Sequence, residues 1–228
     1  MTQISESVSE SVRLETIPAD GSDGGDVALV IVDNPPVNAL SWHVRQGLFD
    51  GITRAVDGGA SAVVVICDGR TFIAGADLSE FGGGAPQAAS LPDVQSKMED
   101  APVPVVAAIH GTALGGGLEV ALCAHYRVAT ADAKFGLPEV NLGLLPGAGG
   151  TQRLPRLTGV PKALEMMTSG RHIGTGEALE AGLVDDIVDG GPAELRNAAV
   201  AFARRAVAEN LPLLRVRDRD DKVAEVRG

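Results

Sequence analysis

The chain has 228 residues, 45% of them hydrophobic and 3% aromatic, with 19 basic against 30 acidic side chains and a net charge of −11. That length fits one domain, or one domain with a small appendage, and leaves Val, Ala, Leu and Ile to build the core. The acidic balance argues against nucleic acid as the main partner, because phosphate binding needs a basic face, and no apolar run reaches the ~18 residues of a membrane helix.

Residues 1–25 are rich in Ser, Glu, Asp and Gly and contain no apolar signal core. They are expected to form a flexible N-terminal extension closing in a hairpin turn at Asp20-Gly-Ser-Asp-Gly-Gly25. Val27–Val32 is a β-branched strand, and Asn34-Pro-Pro36 ends it because proline cannot continue a ladder. Ser41 is placed to cap a helix over Trp42–Val56, with Val44, Leu48, Ile52 and Val56 at helical spacing. Ala62–Cys67 is uninterrupted apolar, as in a strand buried on both faces. A flexible loop at Gly82–Pro86, a short helix at Asp93–Ala101 and a buried strand at Val105–Ile109 follow. A buried helix over Leu118–His125 precedes strands at Tyr126–Ala129 and Ala133–Phe135. Thr151–Leu157, Pro161–Ser169 and Thr175–Ala181 are expected as helices and Leu183–Val188 as the last strand. Pro192–Asn210 is amphipathic, with Leu195, Ala199, Phe202 and Ala206 on one side. The charged tail Arg215–Lys222 is expected to be solvated. Strands alternating with helices give an α/β class, with a core domain over 26–190 and a C-terminal helical segment over 191–228.

Two carboxylates, Glu119 and Glu139, lie twenty residues apart, each among glycine, proline and apolar residues. A carboxylate with few polar neighbours is costly to bury charged, and two of them in one pocket can divide acid and base work. Small residues recur at Ala74-Gly75-Ala76 and at Leu114-Gly-Gly-Gly117, which leads into a helix. Backbone N–H groups from two such loops can form an oxyanion hole, although each loop alone is equally a tight turn against the core. A nucleotide site is excluded: no GxGxxG opens a first βαβ unit, and no lysine follows the glycines of Leu145–Leu154. The four histidines show no metal-ligand spacing and no G-x-S-x-G elbow is present. Cys67 and Cys123 sit in apolar runs, as free thiols of a reducing compartment do, and the expected location is cytoplasmic.

Five ordered segments together resemble the enoyl-CoA hydratase/isomerase (crotonase) family: Asn34–Leu40, Phe72–Leu78, His110–Glu119, Phe135–Gly143 and Pro146–Leu154. The resemblance runs from about Val27 to Val188. Leu137-Pro-Glu and Leu154–Pro161 look most like the hydratase part of multifunctional β-oxidation enzymes. It implies a crotonase-like spiral of repeated ββα units, assembled as a homotrimer or a dimer of trimers. It implies an acyl-CoA thioester substrate contacted at Ala74, Ala76, Asp77, Leu78 and Gly116, with the N–H groups of Ala76 and Gly116 as the oxyanion hole. Glu119 and Glu139 fill the two catalytic positions of a hydratase that adds water to a trans-2-enoyl-CoA in fatty-acid β-oxidation. No metal or redox cofactor is implied, CoA being part of the substrate. The alternatives are a Δ3-Δ2-enoyl-CoA isomerase, which needs chiefly Glu139, and a non-catalytic acyl-CoA-binding subunit. Two departures stand out. Ser79 occupies a position where many relatives carry lysine, so a contact to the CoA phosphates is missing or supplied elsewhere. Residues 191–228 are short against the family's usual C-terminal helices, as in a fragment or a natural short form.

Overall fold

A computed structural model describes residues 4–19, 25–80 and 88–226. Ile4–Ser7 (β1) and Val12–Ile17 (β2) form an antiparallel pair, and β2 continues antiparallel to Val27–Val32 (β3). From there the sheet runs parallel. Val27 of β3 registers with Ala62 of Ala62–Cys67 (β4), and Val63 with Val105 of Val105–Ile109 (β5). Beyond the short strand Thr112–Leu114 (β6), Tyr126–Thr130 (β7) pairs with β5. A second, three-stranded sheet joins β6, Lys134–Gly136 (β8) and Ile173–Gly174 (β9). Asp186–Val188 (β10) closes the seven-stranded sheet beside β7.

Helix α1 (Trp42–Asp57) starts where Ser41 accepts a hydrogen bond from Val44 N, and it buries Val44, Leu48 and Ile52. Helix α2 (Leu91–Glu99) opens with a reciprocal cap between Ser90 and Asp93. Gly116–Ala121 (α3) follows β6, and Gly150–Thr158 (α4), Val160–Ser169 (α5) and Thr175–Ala181 (α6) follow β8. Two strand–strand–helix units are explicit, β5–β6–α3 and β7–β8–α4. In each, the first strand joins the large sheet and the second the small one. The large sheet carries a core on each face. Ala28, Val30 and Val32 pack with α1, while Val27, Leu29 and Ile31 meet Leu195, Ala199 and Phe202 of α7 (Pro192–Ala208). Among the described residues, no helix is long and apolar enough to cross a membrane.

The expected loose N-terminal extension is instead ordered from Ile4 to Ile17 as β1 and β2. In β2, Val12 and Leu14 alternate with Arg13 and Glu15. The apolar pair enters the core, while Glu15 pairs with Arg13 and with Arg196 of α7. The turn expected at 20–25 falls mostly, and the loop at 82–86 wholly, outside the described residues. The helix expected over Leu118–His125 ends at Ala121, and His125 turns into the core. There its Nδ1 accepts from Val105 N at 3.0 Å and its Nε2 lies 3.2 Å from Glu99 O, while burial lowers the ring's pKa. The last strand is limited to Asp186–Val188 because Leu183 and Val184 are drawn into the core and Asp185 N donates to Arg127 O.

The charged tail is solvated only in part: Arg215, Arg217, Asp218, Asp220 and Asp221 are exposed, whereas Val216 and Lys222 turn inward. Val216 is 1% exposed, Arg217 Nη1 lies 3.4 Å from Glu99 Oε2, and Lys222 Nζ donates to Ala181 O at 2.8 Å from the start of α8 (Asp221–Ala224). The Arg217 head meets carboxylates and the Lys222 head meets carbonyls, partners that composition alone does not reveal. Replacing Val216 with alanine is therefore expected to cost about 2 kcal/mol, read as a lower urea midpoint at unchanged slope. An unchanged midpoint would return the tail to solvent.

Candidate active site

Two loops leave the sheets side by side. After β4, buried Phe72 and Ile73 lead to Ala74-Gly75-Ala76, where Leu40 N donates to Gly75 O at 2.9 Å. After β6, Leu114 N donates to Ile73 O at 3.1 Å and the chain turns at Gly115 into α3. The backbones touch at Gly117, where a Cβ would stand 2.0 Å from Ile73 O. A Cβ on Gly116 would lie 3.8 Å from Ala76 N, so the two expected oxyanion donors share one rim. Gly116 is the first residue of α3, whose opening N–H groups have no intrahelical acceptor. Among the described residues, neither Ala76 N nor Gly116 N meets a protein acceptor.

These loops line a cleft of about 190 Å³ with Ala74, Gly75, Leu114, Gly115 and Glu139. Glu139 rides on a short 3-10 turn, Pro138–Leu142, and its Oε1 would be 3.2 Å from a Cβ on Gly115. Gly115 has φ of 51° and ψ of −127°, so a side chain there would be strained and would strike the carboxylate. Glu139 Oε2 is buried with no hydrogen-bond partner among the described residues. Burial raises the pKa of Glu139, and the nearby Glu119 charge raises it further. Glu119, on α3, is 3% exposed. Burial raises its pKa too, against the opposing pull of two N–H donors and the Arg153 guanidinium. Both donors, Ala148 N and Gly150 N, reach Glu119 Oε1 at 2.8 Å. The two acids therefore differ: the ionised form of Glu119 is held by two backbone N–H groups and faces Arg153, whereas Glu139 has only its own backbone N–H to hold its charge and faces the Glu119 carboxylate.

The remaining expected contacts divide. Ala74, Ala76 and Gly116 line the cleft. Asp77 Oδ1 accepts from Ser79 N at 3.0 Å and Ser79 Oγ at 2.7 Å, which lowers its pKa and caps the turn Leu78–Glu80 that Leu78 opens. That turn is tied to α1 through Glu80, which accepts from Trp42 N at 2.6 Å and Arg45 Nη1 at 2.9 Å. Cys67 and Cys123 are free and buried, and burial pushes both thiols upward. Sequence reasoning missed the clamp on Glu119. The glycine turn before α4 was visible, but not its target, and neither were Gln95, Glu99 and Arg153 behind it.

A mixed α/β chain of linked strand–strand–helix units, with paired carboxylates beside two free backbone N–H groups, defines a crotonase-fold protein. A family model described as enoyl-CoA hydratase/isomerase matches residues 23–216, and the chain belongs to that family. It is 49% identical over 190 residues to the peroxisomal bifunctional enzyme of Danio rerio, a match covering 81% of this chain and 25% of that protein. It is 46% identical over 165 residues to the probable enoyl-CoA hydratase of Bacillus subtilis, covering 69% of this chain and 64% of that one. The enoyl-CoA hydratase structure of Bacillus anthracis superimposes with a TM-score of 0.72 at 35% identity, covering 83% and 75% of the two chains. The chain thus spans about a quarter of the zebrafish relative.

Proposed function

We propose that the chain hydrates trans-2-enoyl-CoA to 3-hydroxyacyl-CoA, in fatty-acid β-oxidation. The observation that carries this reading is that Glu139, Ala76 and Gly116 line one small cleft, with the buried Glu119 close enough for its charge to raise the pKa of Glu139. The thioester carbonyl would accept from the two N–H groups, which hold the negative charge that develops on its oxygen as water adds. Glu119, the better-solvated carboxylate, takes a proton from the water as its oxygen bonds to C3. Glu139, the acid inclined to keep its proton, delivers one to C2. Atoms balance as one water added across one double bond. The step asks for no metal and no redox group.

The purified chain mixed with crotonyl-CoA tests the reading through loss of the conjugated thioester absorbance. No loss from folded protein would remove it. The pH dependence follows from the division of labour. Activity falls at low pH when Glu119 is protonated and at high pH when Glu139 is ionised. Since both pKa values are raised above 4.5, both limbs of log kcat/KM lie above that value. An acid limb at or below the ordinary glutamate value would contradict the assignment.

A Δ3-Δ2 isomerase is the second reading, favoured by the unpartnered Glu139 Oε2, because moving a proton between carbons needs one carboxylate. Cytoplasmic placement is supported by the likeness to a Bacillus subtilis protein, whereas the zebrafish relative is named peroxisomal. A homotrimer or a dimer of trimers is the assembly that follows from the family resemblance, and sedimentation equilibrium decides it.

A further inference from the structure

Gln95 lies on α2 and is 3% exposed. Burying a primary amide is costly unless its N–H groups are used, and both partners of Gln95 Nε2 belong to the site. It donates to Ala148 O at 2.7 Å and to Glu119 O at 3.2 Å. The Ala148 carbonyl lies between the two N–H groups, Ala148 N and Gly150 N, that converge on Glu119 Oε1. Left-handed Gly149, with φ of 88°, makes the turn that lets both N–H groups face the carboxylate while the carbonyl meets Gln95. Arg153 Nη1 reaches the same carbonyl at 3.4 Å. Its guanidinium is gripped by fully buried Glu99 at 2.9 and 2.8 Å, so this second anchor is itself fixed. One amide therefore ties the helix that bears Glu119 to the loop that binds its carboxylate.

We propose that Gln95 is a positioning residue for Glu119, locking the Ala148–Gly150 loop so that two N–H groups stay on one carboxylate oxygen and the other remains for the reaction. Gln95 acts through the clamp and touches no reacting atom. Its kinetic consequence rests on the hydratase reading, but its effect on the carboxyl group does not.

The test is a carbon-13 NMR titration of the full chain labelled at the glutamate carboxyl carbon. The Glu119 signal is assigned by its loss in Glu119→Gln. Gln95→Met keeps the volume and removes the donors. Without a held clamp, the ionised carboxylate loses N–H bonds, and the Glu119 midpoint is expected to rise by about one pH unit. For crotonyl-CoA, kcat falls about 10- to 100-fold with KM within about threefold. Gln95→Asn, one carbon too short to reach both carbonyls, gives the same shift and serves if the methionine variant does not fold. A midpoint that stays in place overturns the proposal even if the melting temperature falls, because a purely structural glutamine would lower stability alone. If the parent chain hydrates no enoyl thioester, the functional reading fails and the titration still decides the role of Gln95.

Discussion

Replacing Glu139 with glutamine is expected to lower kcat/KM for crotonyl-CoA by about 10²–10⁴-fold, the range that a positioned acid or base contributes. The variant is expected to remain folded. Glu139 sits on a turn with no buried residue, and its Oε2 has no partner to lose among the described residues. Its stability can be given a sign. In the unfolded chain the carboxyl titrates near 4.5, and burial together with Glu119 raises that value in the folded state. Ionisation is then penalised in the folded state alone. The penalty is absent below the unfolded value, grows as pH rises through it, and is complete above the raised one. Glutamine carries no charge, so at neutral pH the variant melts no lower than the parent. A matched Glu119→Gln variant separates the two reactions. Hydration falls by a similar factor, while isomerisation of a 3-enoyl-CoA, if the chain performs it, survives. Hydration unaffected by Glu119→Gln would break the two-carboxylate assignment.

Gly117→Ala is expected to destabilise the fold by about 3 kcal/mol, the upper end for overpacking. The added carbon would lie 2.0 Å from the Ile73 carbonyl oxygen and 2.7 Å from its carbon. Both are backbone, so no rotamer change relieves the clash. They belong to the segment that Leu114 N pins by its hydrogen bond to Ile73 O. Relief would move α3 away from the Ala74–Ala76 loop and part the two N–H donors. Any folded fraction is then expected to lose about 10²–10³ in kcat, as when one oxyanion donor is removed. Urea unfolding and crotonyl-CoA turnover measured on the same preparation check both effects. A variant of parental stability and rate would show that the two loops are not packed as described.

The elements that matched the sequence most closely are those whose signal is self-sufficient. The strands Val27–Val32, Ala62–Cys67 and Val105–Ile109 are unbroken apolar runs, and their bounds coincide with expectation. Helix α1 declared itself by Ser41 and by Val44, Leu48 and Ile52 at helical spacing. What failed was structure whose apolar content is thin. In β2 only Val12 and Leu14 enter the core facing α1, and the surrounding Ser and Glu residues hide that alternation. In the tail, a single valine is buried and the charged heads of Arg217 and Lys222 tie the segment to Glu99 and to Ala181 O.

The site divides along the same line. The glycines at 75 and 115–117 and the isolation of Glu119 were legible because small and charged residues are conspicuous in an apolar run. That Glu139 joins them depends on β6 pairing with β8, which brings Leu114 opposite Gly136 and sets Gly115 N on Gly136 O at 2.9 Å. Neither strand exceeds three residues, too short for a periodic signal. Gln95 was invisible for a different reason. A glutamine in a short amphipathic helix suggests a solvated face, and only the two carbonyls it meets make it interior.

On the proposed function, this cleft adds water to an enoyl thioester by means of two carboxylates. The most direct measurement of that reaction is mass spectrometry of the product formed from crotonyl-CoA in water enriched in oxygen-18. A 3-hydroxyacyl-CoA carrying one heavy oxygen at C3 is expected from the parent chain and is lost in Glu139→Gln. Substrate recovered without the label from folded protein, or label incorporated equally by Glu139→Gln, would contradict the proposed function.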